Sequence, residues 1–252
     1  MKGTACVKIM TILGLALLLT SFSGCIRRTS DAVLMETELV ADKMVLSNSV
    51  GKVDITGDTG RIAYTHVQAE KRAQTFSLFG LANPNNYIDH IEVYQHLEDG
   101  EAHIGVSVRS LPLLERLFVK VSPRVAFTLN TPVALNTNVK VDVGNVAIHN
   151  LVGHVDATSN VGEITVSSTL GVFGNQSFNV NIGSLDMRLP ADMPVRYDLE
   201  TSIGGIESAG LNANVERRLL GARAAGSQGT PNMTPSFVEG RVNVGNINFY
   251  GE

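Results

Sequence analysis

The stretch "VGNVAIHNLVGHVDATSNVGEITVSSTLGVF" runs from Val143 to Phe173. Glycine stands at Gly144, Gly153, Gly162 and Gly171, each inside an apolar-Gly-x-apolar step: VGNV, VGHV, VGEI and LGVF. Written in nines from Val143, the segment has apolar residues at positions 1 and 4 of every unit, and position 6 carries Ile148, Ala157 and Val166. The same step returns as IGSL (Ile182–Leu185), IGGI (Ile203–Ile206) and VGNI (Val244–Ile247). Gly162, Gly183, Gly204 and Gly245 are separated by 21, 21 and 41 residues.

Two arrangements account for a glycine at each step. In one, Gly-x is a two-residue hairpin loop and the strands form an antiparallel meander, as in a β-sandwich or barrel. In the other, glycine lets the chain take a positive-φ bend between short strands, and successive coils stack in parallel. A meander has no reason to hold its loops to spacings near 9 and 18–21, which fit a half coil and a coil. Like residues also recur at equivalent places, as when Val143, Val152 and Val161 form one inward series. Asn145, Asn160, Asn179, Asn181, Asn243, Asn246 and Asn248 cluster near the bends, where asparagine tolerates the left-handed conformation. The expectation is an all-β chain, a single-stranded right-handed parallel β-helix (β-solenoid) with coils of about 18–21 residues. The turn glycines would be Gly51, Gly144, Gly153, Gly162, Gly171, Gly183, Gly204 and Gly245.

Outside this stretch, "SVGKVDITGDTGRIAYTHVQ" alternates through Val53, Ile55, Ile62 and Tyr64. "FGLANPNNYIDH" (residues 79–90) reads as a Pro/Asn-rich loop, and His90–Ser110 as two strands about the Asp99-Gly100 turn. "LPLLERLF" (Leu111–Phe118) has helical character, and Asn212–Ser236 reads as a surface excursion.

These residues also carry a resemblance. "VKVSPRVAFTLNT" followed by "VKVDVGNVAIHNLVGHVDATSNVGEITVSS" resembles the putative-adhesin family of bacterial cell-envelope proteins and the related head GIN domain family. The matching steps are Gly144-Asn145-Val146, Gly162-Glu163-Ile164, Gly183-Ser184-Leu185 and Gly245-Asn246-Ile247. The resemblance covers residues 117–252 well and 44–68 less well. It implies a right-handed β-helix at the cell envelope and no catalytic residues. The insertion after Asn212 departs from the pattern.

The amino terminus has the form of an export signal. Lys2 and Lys8 precede the apolar run Ile9–Thr20, which is too short for a bilayer span of about 20 residues but fits a signal core. "SFSGC" (Ser21–Cys25) resembles a bacterial lipobox, which implies cleavage after Gly24 and lipid on Cys25. Phe22 departs from the commonest residue there, and Arg27 and Arg28 would also suit an uncleaved anchor. Of two cysteines, Cys6 would leave with the signal, so Cys25 would have no disulfide partner. Residues 1–24 are read as signal, 25–43 as lipidated terminus and short linker, and 44–252 as the folded body. Cleavage removes two lysines and no acid, shifting the formal charge from -4 to -6. That balance argues against nucleic acid as a partner.

No reaction is spelled out. His149, His154 and Asp156 flank one bend without a convergent ligand set, and His96–His103 reads as a solvated hairpin tip. His66 and His90 join no motif. A carbohydrate-active enzyme would need clustered carboxylates. The candidates Asp142, Asp156, Glu163, Asp186, Glu200 and Glu207 are spread over different coils. "ERRLLGAR" (Glu216–Arg223) would place three arginines on a short helix or exposed loop. The expected function is non-catalytic: an adhesin-like scaffold without cofactor or metal, anchored to the envelope by lipid. It would bind an envelope protein or glycan through a strand face and the loops at 79–90 and 212–236. Ile26 after Cys25 favours the outer membrane if the host has two membranes. The alternatives are a polysaccharide lyase or hydrolase on the same scaffold, or an envelope-stress or assembly factor.

Overall fold

The computed structural model describes residues 25–60, 62–78, 82–172, 174–210, 214–228 and 235–251. The signal reading of residues 1–24 lies outside them, as do parts of the loops at 79–90 and 212–236. The chain is all-β, and its described residues form seventeen strands in one mixed sheet that is not closed. In order they are β1 (Cys25–Thr29), β2 (Val33–Leu39), β3 (Lys43–Val50), β4 (Val53–Asp58), β5 (Thr65–Leu78) and β6 (Ile91–Glu98). Then come β7 (Glu101–Val108), β8 (Val119–Pro132), β9 (Asn136–Val143), β10 (Val146–His149), β11 (Val155–Ser167) and β12 (Asn175–Leu189). The last are β13 (Val195–Ile203), β14 (Ile206–Ala209), β15 (Asn214–Arg217), β16 (Ala222–Gln228) and β17 (Ser236–Gly251). Among the described residues one short α-helix, α1 (Leu113–Phe118), falls where the sequence has helical character. Residues 25–43, read from composition as a linker, contain β1 and β2, because alternating Leu34, Glu36 and Glu38 pair with β5 in an antiparallel register.

The described residues form two compact units. The smaller comprises residues up to Ala32, Arg72–Ile91 and Val108–Pro123. In it β1 pairs antiparallel with the end of β5, setting Cys25 opposite Leu78. The Ala73 N–H donates to Ser30 Oγ at 2.8 Å, continuing the same register. A 3₁₀ turn over Pro84–His90 is capped by Asn83, whose side chain accepts from the Asn85 N–H. Asn85 Nδ2 in turn donates to Asp31 at 2.9 Å.

The larger unit holds the glycine repeat. Through residues 143–173 the strands run parallel: β10 pairs with β11, and β11 with β12. The unit that repeats, a strand before a glycine and a strand after it, is termed a coil. The strands after the glycine stack in the order β8, β4, β10, end of β11, end of β12, end of β17, β14, all parallel. Their inward column is Phe127, Val53, Val146, Ile164, Leu185, Ile247 and Ile206, every one buried. The strands before the glycine stack as β7, β3, β9, β11, β12, β17, β13, again parallel. β16 and β15 then add in antiparallel fashion.

The two rows share one core. Tyr197 from the strands before the glycine meets Phe249 from the strands after it edge-on, with ring centroids 5.3 Å apart. Along the strands before the glycine the sizes alternate: Ala157, Phe178, Gly240 and Leu199 are in register. Gly240 leaves room that the Leu185 and Leu199 side chains fill, since an added Cβ would lie 2.7 and 2.9 Å from their Cδ2 atoms. Phe178 beside it is 2% exposed. Large beside small is how neighbouring strands reach interior packing density.

Stacking order departs from chain order. β17 lies between β12 and β13, pairing with both. The last coil therefore fills a place that the chain passes over after Leu189. The 41-residue gap before Gly245 is the detour, in which β15 and β16 form a hairpin closed by the Arg218 N–H donating to the Gly221 carbonyl at 2.8 Å. "ERRLLGAR" is thus hairpin rather than helix, because these residues complete a ladder with β13.

Candidate binding surface

The corner of each coil is a glycine with φ between 138° and 150°: Gly51, Gly144, Gly162, Gly183, Gly245 and Gly204, in stacking order. L-residues are excluded from that region by their Cβ. Crowding adds a second exclusion. A Cβ on Gly144 would overlap the Gly51 carbonyl oxygen, one on Gly162 that of Gly144, and so on to Gly204 against Gly245. Gly51 opens the series against the Val125 carbonyl. The corners rest directly on one another, and only glycine fits a corner so stacked.

Gly153 and Gly171, which the nine-residue spacing groups with these, are placed elsewhere. Gly153 lies outside the positive-φ region and is close to the Ala134 and Leu135 carbonyls. Gly171 has φ 86° and packs near the Met193 sulfur. Both belong to the connections between coils. The asparagines also act differently from expectation. None of the seven bend asparagines has positive φ; Asn150, outside that set, does, at 51°. Asn145 Oδ1 instead accepts from the Glu163 N–H at 3.3 Å, and Asn246 Oδ1 from the Gly205 N–H at 3.0 Å. Each caps the first amide after a neighbouring corner. Inside the corner, Asn48, Ser159 and Thr201 donate to the Val125, Gly144 and Gly204 carbonyls.

The residue before five of the six corner glycines is exposed, and Val50, before Gly51, is half-buried. Val143 is 47% exposed, Val161 43%, Ile182 48%, Val244 43% and Ile203 49%. This corrects the reading of Val143 and Val161 as part of an inward column: the corner resets the alternation, and Val146, three residues on, is the buried one. In register at about 4.8 Å per strand, these five side chains make an aliphatic row about 19 Å long. A polar row lies on either side. One holds Asp142, Asn160, Asn181 and Asn243, joined as Asn160 Nδ2 donates to Asp142 at 3.2 Å and Asn243 Nδ2 to Asn181 at 2.9 Å. The other holds Lys52, Asn145, Glu163, Ser184 and Asn246.

Among the sequence-nominated acids the structure brings two together. Glu163 and Asp186 are diagonal neighbours on β11 and β12. The hydrogen bond and charge of Asp186, with partial burial, raise the Glu163 carboxyl above its ordinary value, against a lowering bond from Thr165. Asp186 also accepts from Asn248 and from Ser184 Oγ. The other acids have separate places: Glu200 pairs with Arg218 at 2.9 Å, Asp156 lies half-buried on β11 and Glu207 is exposed on β14. His149 Nδ1 lies 2.7 Å from Ser167 Oγ, while the His154 N–H donates to Asn136. His103 and Lys43 both approach Glu101, and the Lys43 ammonium holds that carboxyl below its ordinary value. Among the described residues no three His, Cys, Asp or Glu converge as a metal site. No described helix is long and apolar enough to cross a membrane.

No protein-family model and no curated protein sequence matches the chain. Solved structures do. A "putative cell adhesion protein" from Clostridium sporogenes superposes with a TM-score of 0.54 at 15% identity, covering 88% of this chain and all of that one. A "putative adhesin" from Bacteroides fragilis is matched over 87% of this chain and 97% of its own at 15% identity, with a TM-score of 0.31. The chain therefore shares its fold with the clostridial protein.

Proposed function

We propose that the chain is a cell-envelope protein held to a membrane by lipid on Cys25, at the outer membrane where the host has two. Its body is a non-catalytic β-solenoid that binds an envelope or surface partner, as an adhesin does. The parallel registers and the stacked glycine corners support the solenoid. The name of the clostridial protein of like fold supports adhesion.

The observation that carries the binding role is the aliphatic row from Val143 to Ile203. Large exposed apolar residues in an unbroken, polar-rimmed row mark interaction surfaces. A partner laid along the corner would meet one aliphatic side chain per coil and amide donors and acceptors on both sides. Val161→Lys with Ile182→Lys changes only half-exposed side chains, so the fold should persist by circular dichroism. Binding to isolated envelopes should fall at least ~10-fold, the effect of ~1.4 kcal/mol. Unchanged binding would reject the row as the binding surface.

A polysaccharide-cleaving reading has one observation in its favour, the Glu163–Asp186 pair, since a carboxyl with raised pKa beside a second carboxylate suits acid–base work. Asp186 is engaged by Asn248 and Ser184 on an open strand face. Glycan cleavage that disappears in Asp186→Asn would establish the enzyme instead of the scaffold.

A further inference from the structure

The smaller unit has a charge and a surface unlike the rest of the chain. Its described residues carry six basic side chains, Arg27, Arg28, Arg72, Arg109, Arg116 and Lys120, against three acids, Asp31, Asp89 and Glu115. A formal excess of three positive charges thus sits in a chain whose net charge is -4. The same unit contains α1, a six-residue helix with no buried residue. Leu113 is 76% exposed, Leu114 73%, Leu117 67% and Phe118 58%. A helix this short does not hold itself together in water. Four large apolar side chains on it call for a cover.

We propose that the cover is a lipid bilayer with anionic headgroups. Leu113, Leu114, Leu117 and Phe118 enter the boundary between headgroups and acyl chains, and Arg116, Lys120, Arg27 and Arg28 meet lipid phosphates. Two observations choose this occupant. The basic excess is complementary to an anionic membrane surface, toward which each Lys or Arg adds attraction. The chain preceding the described residues, with its apolar run Ile9–Thr20, ends at Cys25, the first residue of β1 in this unit. Any attachment through that end, by lipid or by the leader itself, brings this unit to the membrane. The inference rests on the membrane attachment proposed above and adds a second contact. A single buried chain or a short apolar element binds reversibly, whereas two signals together anchor stably.

The test uses the full-length protein reconstituted into vesicles of phosphatidylethanolamine with phosphatidylglycerol, and into phosphatidylcholine alone. Leu114→Cys and Leu117→Cys, both at exposed positions, carry an environment-sensitive fluorophore. The expected result is a blue-shifted emission, quenched by lipids bearing a nitroxide on the acyl chain, and stronger in the anionic vesicles. Arg116→Glu with Lys120→Glu should weaken that quenching several-fold. An unshifted emission overturns the proposal. So does a blue shift without lipid quenching, because it shows that a second copy or another protein covers the helix. Thiol labelling of the unsubstituted chain reads the anchor separately: a lipidated Cys25 takes no label and a free one does. Failure of the anchor and failure of helix docking therefore give different results.

Discussion

In residues 136–189 the second and third coils each rest on the one that precedes them in the chain, whereas in 195–251 the final coil enters between two earlier ones. Both regions use the same corner. Gly144, Gly162 and Gly183 on one side, and Gly204 and Gly245 on the other, share φ near 138–150° and the same carbonyl contact with a neighbouring corner. The fold is thus defined by what each coil offers its neighbours, not by the order in which the chain delivers them. A strand whose glycine, aliphatic and polar positions match can occupy any place in the stack. β17 forms the ladder between β12 and β13 that those two strands do not form with each other.

If the two regions share one corner, the same substitution should cost the same in each. Gly162→Ala and Gly245→Ala should each destabilise by at least ~4 kcal/mol, or abolish folding. The positive φ alone costs about 1–3 kcal/mol, and the Cβ meets a backbone oxygen that cannot move aside. Gly174→Ala separates the terms: its φ is 72° with nothing near its Cβ, so only about 1–2 kcal/mol should be lost. Chemical denaturation of the three variants measures this. A Gly245 variant as mild as Gly174→Ala would break the equivalence of the regions.

The seam between them is the next place to probe. Phe178 of the ordered region packs beside Gly240 of the inserted strand. Phe178→Ala should cost about 3–5 kcal/mol, because the cavity lies where glycine offers no side chain to collapse into it. A loss under ~1 kcal/mol would mean that the seam is loosely packed.

The smallest effect concerns Glu163. Its carboxyl is raised by Asp186, so between the ordinary glutamate value of 4.5 and the raised one the folded chain binds more protons than the unfolded. Stability falls as pH rises through that window. Glu163→Gln should therefore be more stable than the parent at neutral pH by a few tenths of a kcal/mol, the scale of surface charge pairs. The two should match below pH 4.5, and equal stability at neutral pH would mean that Asp186 does not raise the Glu163 carboxyl.

The glycine steps made the strands, the bends and the recurrence legible in sequence, because a positive-φ corner admits one residue type and repeats it. Three things were not. The outward direction of Val143 and Val161 was hidden because period-2 alternation breaks at a corner, and simple parity carries Val143 to the wrong side. The insertion of β17 was hidden because IGGI and VGNI are equivalent steps, so neither states which neighbour it prefers. Gly153 and Gly171 matched the spacing while serving connections. The Glu163–Asp186 pair was accessible: with Gly162 set beside Gly183, a shift of 21 residues puts Asp186 beside Thr165 and diagonal to Glu163. The exposed helix at Leu113–Phe118 could be read as helix but not as uncovered, since six residues show too little periodicity to reveal a missing partner.

Cross-linking across the inserted strand tests the stack most directly. Asn181 and Asn243 are joined by a side-chain hydrogen bond of 2.9 Å, and Ser202 lies beyond Asn243 on β13. In a chain with no other free thiol, Asn181→Cys with Asn243→Cys should oxidise to a disulfide, as adjacent strands about 4.8 Å apart allow. Asn181→Cys with Ser202→Cys, two strand spacings apart at about 9.6 Å, should not. A disulfide between 181 and 202, with none between 181 and 243, would place β13 beside β12 and contradict the account.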